Sequence, residues 1–210
     1  MSFVGSNILA GASGQGGGGY AIERSLRFNL GDSPYLSKNF ASAGNRTAWT
    51  WSGWVKRSKM PNDREVLFGA YGADNDTDWI EFGYENSEFY YTTYNVTGSS
   101  NEVFRDPSAW QHVVVNYNGS NIKFYSNGTE VWSVSKSGNL AINGAWTHRI
   151  GRSPGNITRY FDGYLADIHF IDGQTLAPTD FGKTDDNGVW QPKKFEGTYG
   201  PLVNLSLIHI

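Results

Sequence analysis

Hydrophobic and polar residues alternate along most of this chain, and few stretches carry the three-and-four spacing of a helix. Residues 110–134, WQHVVVNYNGSNIKFYSNGTEVWSV, show the pattern most plainly. Val113, Val115 and Tyr117 interleave with His112, Val114 and Asn116, which gives a strand with two different faces. Asn118-Gly119 and Asn127-Gly128 supply turn pairs that accept positive φ, so the stretch reads as three strands joined by two turns. Such a meander buries its apolar face only against a second sheet. The pattern predicts a sandwich.

Similar alternation recurs on both sides. Leu26 and Phe28 share one face of a short strand, and extended structure resumes at Tyr35-Leu36. In TAWTWSGWVKR, residues 47–57, Trp49, Trp51, Gly53 and Val55 point one way and Thr50, Ser52, Trp54 and Lys56 the other. The first set is expected in the core. Trp54 keeps polar company and is the candidate for an exposed aromatic. Strands are also expected at 65–70, 79–84 and 147–151, with an aromatic strand pair over 87–97. Within 159–172 the apolar residues Leu165, Ile168 and Phe170 are spaced three and then two apart, so a β-bulge at Ala166-Asp167 is needed to keep them on one face. Asn143-Gly144 reads as another hairpin turn, and Pro178 as the start of one helical turn that Gly182 ends.

These elements divide the chain into four parts. Residues 1–19 end in a glycine run that lacks the Lys-Ser/Thr of a phosphate loop and reads as a flexible segment. Residues 20–182 form the sandwich domain, and 183–204 a mostly looped extension anchored by Trp190. The last six residues, LSLIHI, match the translation of a sequencing-library adaptor, and 205–210 are expected to be an artefact of a cut reading frame.

Composition narrows the function. The net charge is −3 and charged residues make up only 18%, which leaves no basic face for nucleic acid. There is no cysteine, hence no disulfide and no thiolate metal site. No apolar run is long enough for membrane insertion, and the N-terminus lacks the basic region of a signal peptide.

The stretch DNDTDWIEFGYE, residues 74–85, carries the candidate chemistry. Asp74, Asp76 and Asp78 have the spacing of a calcium loop, but Trp79 stands where an EF-hand needs glycine. A calcium site on a β-loop, using these three aspartates, stays open. Trp79 and Tyr84, with Asp76 and Asp78, are the candidate glycan-binding residues, and Trp54 is the alternative. Sugar rings stack their C–H faces on aromatics while their hydroxyls seek carboxylates and amides. Glu81 and Glu85 invite a glycosidase reading. Four residues apart on a strand, however, they lie roughly 13 Å from each other, too far for a catalytic pair. Solvated strand glutamates are the expectation, and so is the absence of catalysis.

The strand wording Ser25-Leu-Arg-Phe28, Thr50-Trp-Ser-Gly-Trp-Val-Lys56, Trp110-Gln-His-Val-Val-Val115 and Phe161-Asp-Gly-Tyr-Leu-Ala-Asp-Ile-His-Phe170 resembles the concanavalin A-like lectin/glucanase superfamily, of laminin G-like type. It looks closest to domains of marine bacteriophage structural and tail proteins. The resemblance implies an all-β jelly roll of two antiparallel sheets, often glycan-binding and sometimes calcium-binding. It also implies a virion or extracellular location, with host-surface glycan and other virion proteins as partners. A glycan hydrolase of the same fold and a bacterial surface adhesin are the alternatives.

Overall fold

The computed structural model describes residues 19–60, 63–75 and 77–201. The flexible segment expected before Gly19, the hexapeptide 205–210 and Asp76 lie outside them. Among the described residues the elements are strands plus two three-residue 3-10 turns, Leu30–Asp32 and Pro178–Asp180. No helix among the described residues is long and apolar enough to cross a membrane.

In chain order the strands are β1 (Leu26–Phe28), β2 (Leu36–Asn39), β3 (Trp49–Arg57), β4 (Glu65–Tyr71), β5 (Trp79–Glu85), β6 (Glu88–Thr93), β7 (Thr97–Val103), β8 (Gln111–Tyr117), β9 (Asn121–Ser126), β10 (Thr129–Ser135), β11 (Thr147–Ile150), β12 (Gly163–Asp172), β13 (Gly182–Thr184) and β14 (Trp190–Pro192). They build two six-stranded sheets, β1-β12-β3-β8-β9-β10 and β2-β11-β4-β5-β6-β7, with β13-β14 as a separate hairpin. This is the expected two-sheet antiparallel jelly roll.

The alternating residues meet between the sheets. Trp49, Trp51, Val113, Val115 and Phe124 of the first sheet pack on Phe68, Ile80, Phe82 and Tyr91 of the second, all nearly inaccessible. Phe82 sits at the centre. Its ring lies parallel to Trp49 at 6.4 Å and edge-on to Trp51 at 5.6 Å and to Phe124 at 6.2 Å.

Two local expectations meet their geometry. Asn127 and Gly128 have φ of 46° and 85°, and Ser126 pairs with Thr129, so the two-residue turn matches the right-handed twist of its strands. Pairing of β12 with β3 slips between Ala166 and His169, with Asp167 at φ 46°, and this bulge returns Leu165, Ile168 and Phe170 to the core.

Asn143-Gly144 is different: it is no hairpin turn. Asn143, at φ 71°, is buried between β10 and β11, and its amide donates to Asn45 O and to Asp172. It ties two loops to the end of β12. The turn between β5 and β6 uses Asn86 and Ser87, both at positive φ, and β7 (TGSSNEV) is a mostly exposed edge strand without alternation.

Residues 182–200 lie over the outer face of the first sheet. Phe181, Phe195 and Tyr199 pack on Val114 and Ile171, and β13-β14 brings the Trp190 indole to His112 at 3.0 Å. A face that is polar by sequence is thereby covered.

Candidate functional site

The outer face of the second sheet carries an aromatic row at one end. Tyr71 closes β4 and Trp79 opens β5 directly opposite it, with rings 6.4 Å apart and nearly perpendicular. Tyr94, just after β6, lies 6.0 Å from Trp79 on the other side. Tyr94 is 47% exposed, and Trp79 is half-buried beneath Gly155. A Cβ at position 155 would stand 2.8 Å from the indole, so only glycine lets this loop backbone rest on the ring.

The loop joining β4 to β5 is braced by its own side chains. Asn75 Oδ1 accepts from the Thr77 hydroxyl and from the Thr77 and Asp78 amides, and its Nδ2 donates to Asp78 at 2.9 Å. Arg46 donates to Asp78 at 2.9 Å and to Leu140 O at 2.7 Å while covering the Trp146 ring. Asp74 stays exposed and accepts from the Tyr71 hydroxyl at 3.1 Å. Trp79 and Asp74 thus meet Tyr71 and Tyr94, two residues the sequence does not single out, while Asp78 is engaged by Arg46 and Asn75.

Both oxygens of Asp78 face N–H donors, one from Arg46 and one from Asn75, where a cation would need to sit. Among the described residues no three acidic or histidine side chains converge to hold a metal ion.

Two aromatic candidates are corrected. Tyr84 is fully buried, with its hydroxyl donating to Gln111 at 2.6 Å and the Arg57 guanidinium over its ring. Five residues from Trp79 on one strand, it must face the opposite side, into the core. Trp54 is only 8% exposed and packs on His112 at 5.1 Å, beneath the cover that residues 182–200 provide. Neither offers a face to a sugar.

Glu81 is also unlike its expectation: it is buried, not solvated. The segment after β11 passes over it, and its carboxylate accepts from the Ser153 and Tyr90 hydroxyls with Arg159 at 3.9 Å. Burial holds its pKa above the carboxylate range, against the pull of Ser153 and the arginines. Between Glu81 and Glu85 stands Gly83, because the bulged backbone of β4 would bring Glu65 O to 2.0 Å from any Cβ there. No carboxylate fits at that position.

One buried pair mimics a nucleophile and its base. Ser52 Oγ lies 2.9 Å from His112 Nε2. The Trp190 indole, however, only donates, so Nδ1 of His112 is its acceptor and the imidazole proton sits on Nε2, facing Ser52. In that tautomer His112 takes no proton from the serine. Burial pushes its pKa down to about 3, and that of His148 to about 4. These depressed values contribute stability above the ordinary histidine range that is lost as pH falls towards them. Nitrogen-proton correlation NMR is expected to show His112 neutral with the proton on Nε2 at pH 6. A proton on Nδ1 there would contradict this geometry.

Two six-stranded antiparallel sheets packed face to face make this an all-β jelly-roll domain. The chain belongs to the concanavalin A-like lectin/glucanases superfamily, whose family model matches residues 30–179. No curated protein sequence matches it. Among solved structures it is similar to domain 4 of a GH43 extracellular arabinanase from Geobacillus stearothermophilus, in complex with arabinotriose, at 17% identity and TM-score 0.56 over 78% of this chain and 79% of that one. A heptameric SAP-like pentraxin from Limulus polyphemus gives 16% identity and 0.53 over 69% and 71%. Mouse laminin α1 domains LG4-5 give 16% and 0.54 over 75% of this chain and 44% of that one. At such identities the likeness is one of fold.

Proposed function

We propose that this chain is a non-catalytic glycan-binding module and that a sugar chain lies along Tyr71, Trp79 and Tyr94. The observation that carries the reading is the exposed Tyr94 ring beside Trp79, with the Asp74 carboxylate on the hydroxyl of Tyr71 at the other end of the row. Aromatic faces take the apolar sides of sugar rings, and Asp74 accepts from their hydroxyls. The arabinotriose complex of the similar arabinanase domain supports a glycan as the ligand class. The absence of catalysis is supported by the sealed carboxyl of Glu81 and the tautomer of His112.

The setting we propose is a phage particle, in a tail fibre or similar surface appendage that meets the host. Its support is the wording of 25–28, 50–58, 161–174 and 188–193, which resembles phage structural proteins.

Affinity measurement against an array of surface polysaccharide fragments tests the site. Tyr94→Ala is expected to weaken binding by roughly tenfold, about 1.4 kcal/mol, with the fold intact. Full affinity in both Tyr94→Ala and Trp79→Ala would remove the row from consideration.

A further inference from the structure

We infer that the glycan is acidic and that Arg149 and Arg152 hold its carboxylate or sulfate beside the aromatic row. This deepens the glycan-binding reading above and rests on it. Arg149 lies on β11 opposite Gly69, while Thr147, two residues away, is opposite Tyr71. The arginine is thus one strand and two residues from the end of the row, roughly 8 Å between Cα positions. Arg152 follows in the loop. Its guanidinium carbon lies 4.7 Å from the Tyr35 ring centre and 5.4 Å from that of Tyr160, and Arg149 approaches Tyr35 at 5.8 Å.

These two are half-buried without a counter-ion, whereas Arg24 and Arg105, which also lack one among the described residues, are exposed. Arg27, Arg46, Arg57, Arg64 and Arg159 each have a carboxylate within 4.0 Å, whereas among the described residues neither Arg149 nor Arg152 has one. The Nε atoms of both are buried without an acceptor. Arg149 is fixed by donating to Pro154 O at 2.7 Å and Ser153 O at 3.3 Å, neutral carbonyls that leave its charge in place. In a chain of net charge −3, two uncompensated arginines side by side are not the overflow of a basic surface.

Tyrosine faces orient the Arg152 guanidinium without neutralising it, so its two terminal nitrogens stay available for parallel bonds to a carboxylate or sulfate, while Arg149, with Nη1 taken by two carbonyls, adds its charge. Tyr35 is 41% exposed, next to this charge. An anionic sugar residue would place its acid group on the arginines and its neighbour on the aromatic row.

The test compares three sets of oligosaccharides of equal length on the full chain: uronate-containing, sulfate-ester-containing and neutral. The wild type is expected to prefer one acidic set over the neutral set by at least roughly tenfold, with that preference falling as salt screens the charges. Which acidic set binds identifies the acid group. Arg152→Gln is expected to abolish the preference and leave neutral binding unchanged. If that variant fails to fold, Arg152→Lys decides, since it keeps the charge and lacks the fork; a reduced preference supports the inference and a full one overturns it. Equal, salt-independent binding of all three sets would overturn the acidic assignment while Tyr94→Ala still reports on glycan binding. No binding by any set would bring down both readings.

Discussion

Phe82→Ala is expected to destabilise the domain by about 3–5 kcal/mol, the cost of truncating a large aromatic in a packed core. Phe82 is 1% exposed and touches Trp49, Trp51, Phe68 and Phe124, so it joins both sheets through four rings. Transfer of the side chain explains only part of the loss. The remainder is the cavity, because strands held by their ladders cannot collapse around it. Urea denaturation followed by tryptophan fluorescence measures the effect. A loss below about 1 kcal/mol would mean that the sandwich interior is not packed around this ring.

The second large effect concerns a charge inside the sandwich. Arg57 and Glu65 are both buried and meet at 2.6 Å, with Arg57 also donating to Phe104 O at 3.0 Å. Burial pushes the Glu65 carboxyl up to about 7, against the pull of Arg57. Arg57→Met leaves that carboxylate alone and is expected to cost about 3–5 kcal/mol at pH 8, whereas Arg57→Met with Glu65→Leu restores most of it. The sign of the pH effect follows. A carboxyl whose folded pKa is raised contributes stability below its unfolded value, lost as pH rises through the folded one. With the pull of Arg57 gone the folded carboxyl titrates higher still, so the single variant should recover stability as pH falls from 8 to 5. Denaturation at pH 5 and pH 8 checks this; equal losses at both would show that Glu65 does not protonate in the variant.

Alternation and turn residues made the fold legible before any coordinates. The spacing of Leu165, Ile168 and Phe170 even located the bulge, because strict period-2 geometry admits no other way to bury all three. Sites were harder. Trp79 lies in the outer aromatic row, but Tyr84, grouped with it from the sequence, is an odd number of residues away on the same strand, which sends the two side chains to opposite faces. Trp54 failed for a different reason. Its polar companions on β3 face a covering segment over a hundred residues later, and no local pattern announces that contact. Glu81 was misread likewise, since Ser153 and Arg159 reach it from a distant loop. Tyr94 carries no pattern of its own. It joins the row only through the register of β5 on β6, which pairs Ile80 with Thr93.

The claim that sugar binds at the outer end of β4, β5 and β6 is tested most directly by NMR titration with an oligosaccharide. Aromatic side-chain resonances are assigned and followed. The account predicts shifts in the rings of Tyr71, Trp79 and Tyr94, with Trp54 and Tyr84 unmoved in their buried positions. Shifts confined to residues of the first sheet, with Trp79 and Tyr94 silent at saturation, would contradict it.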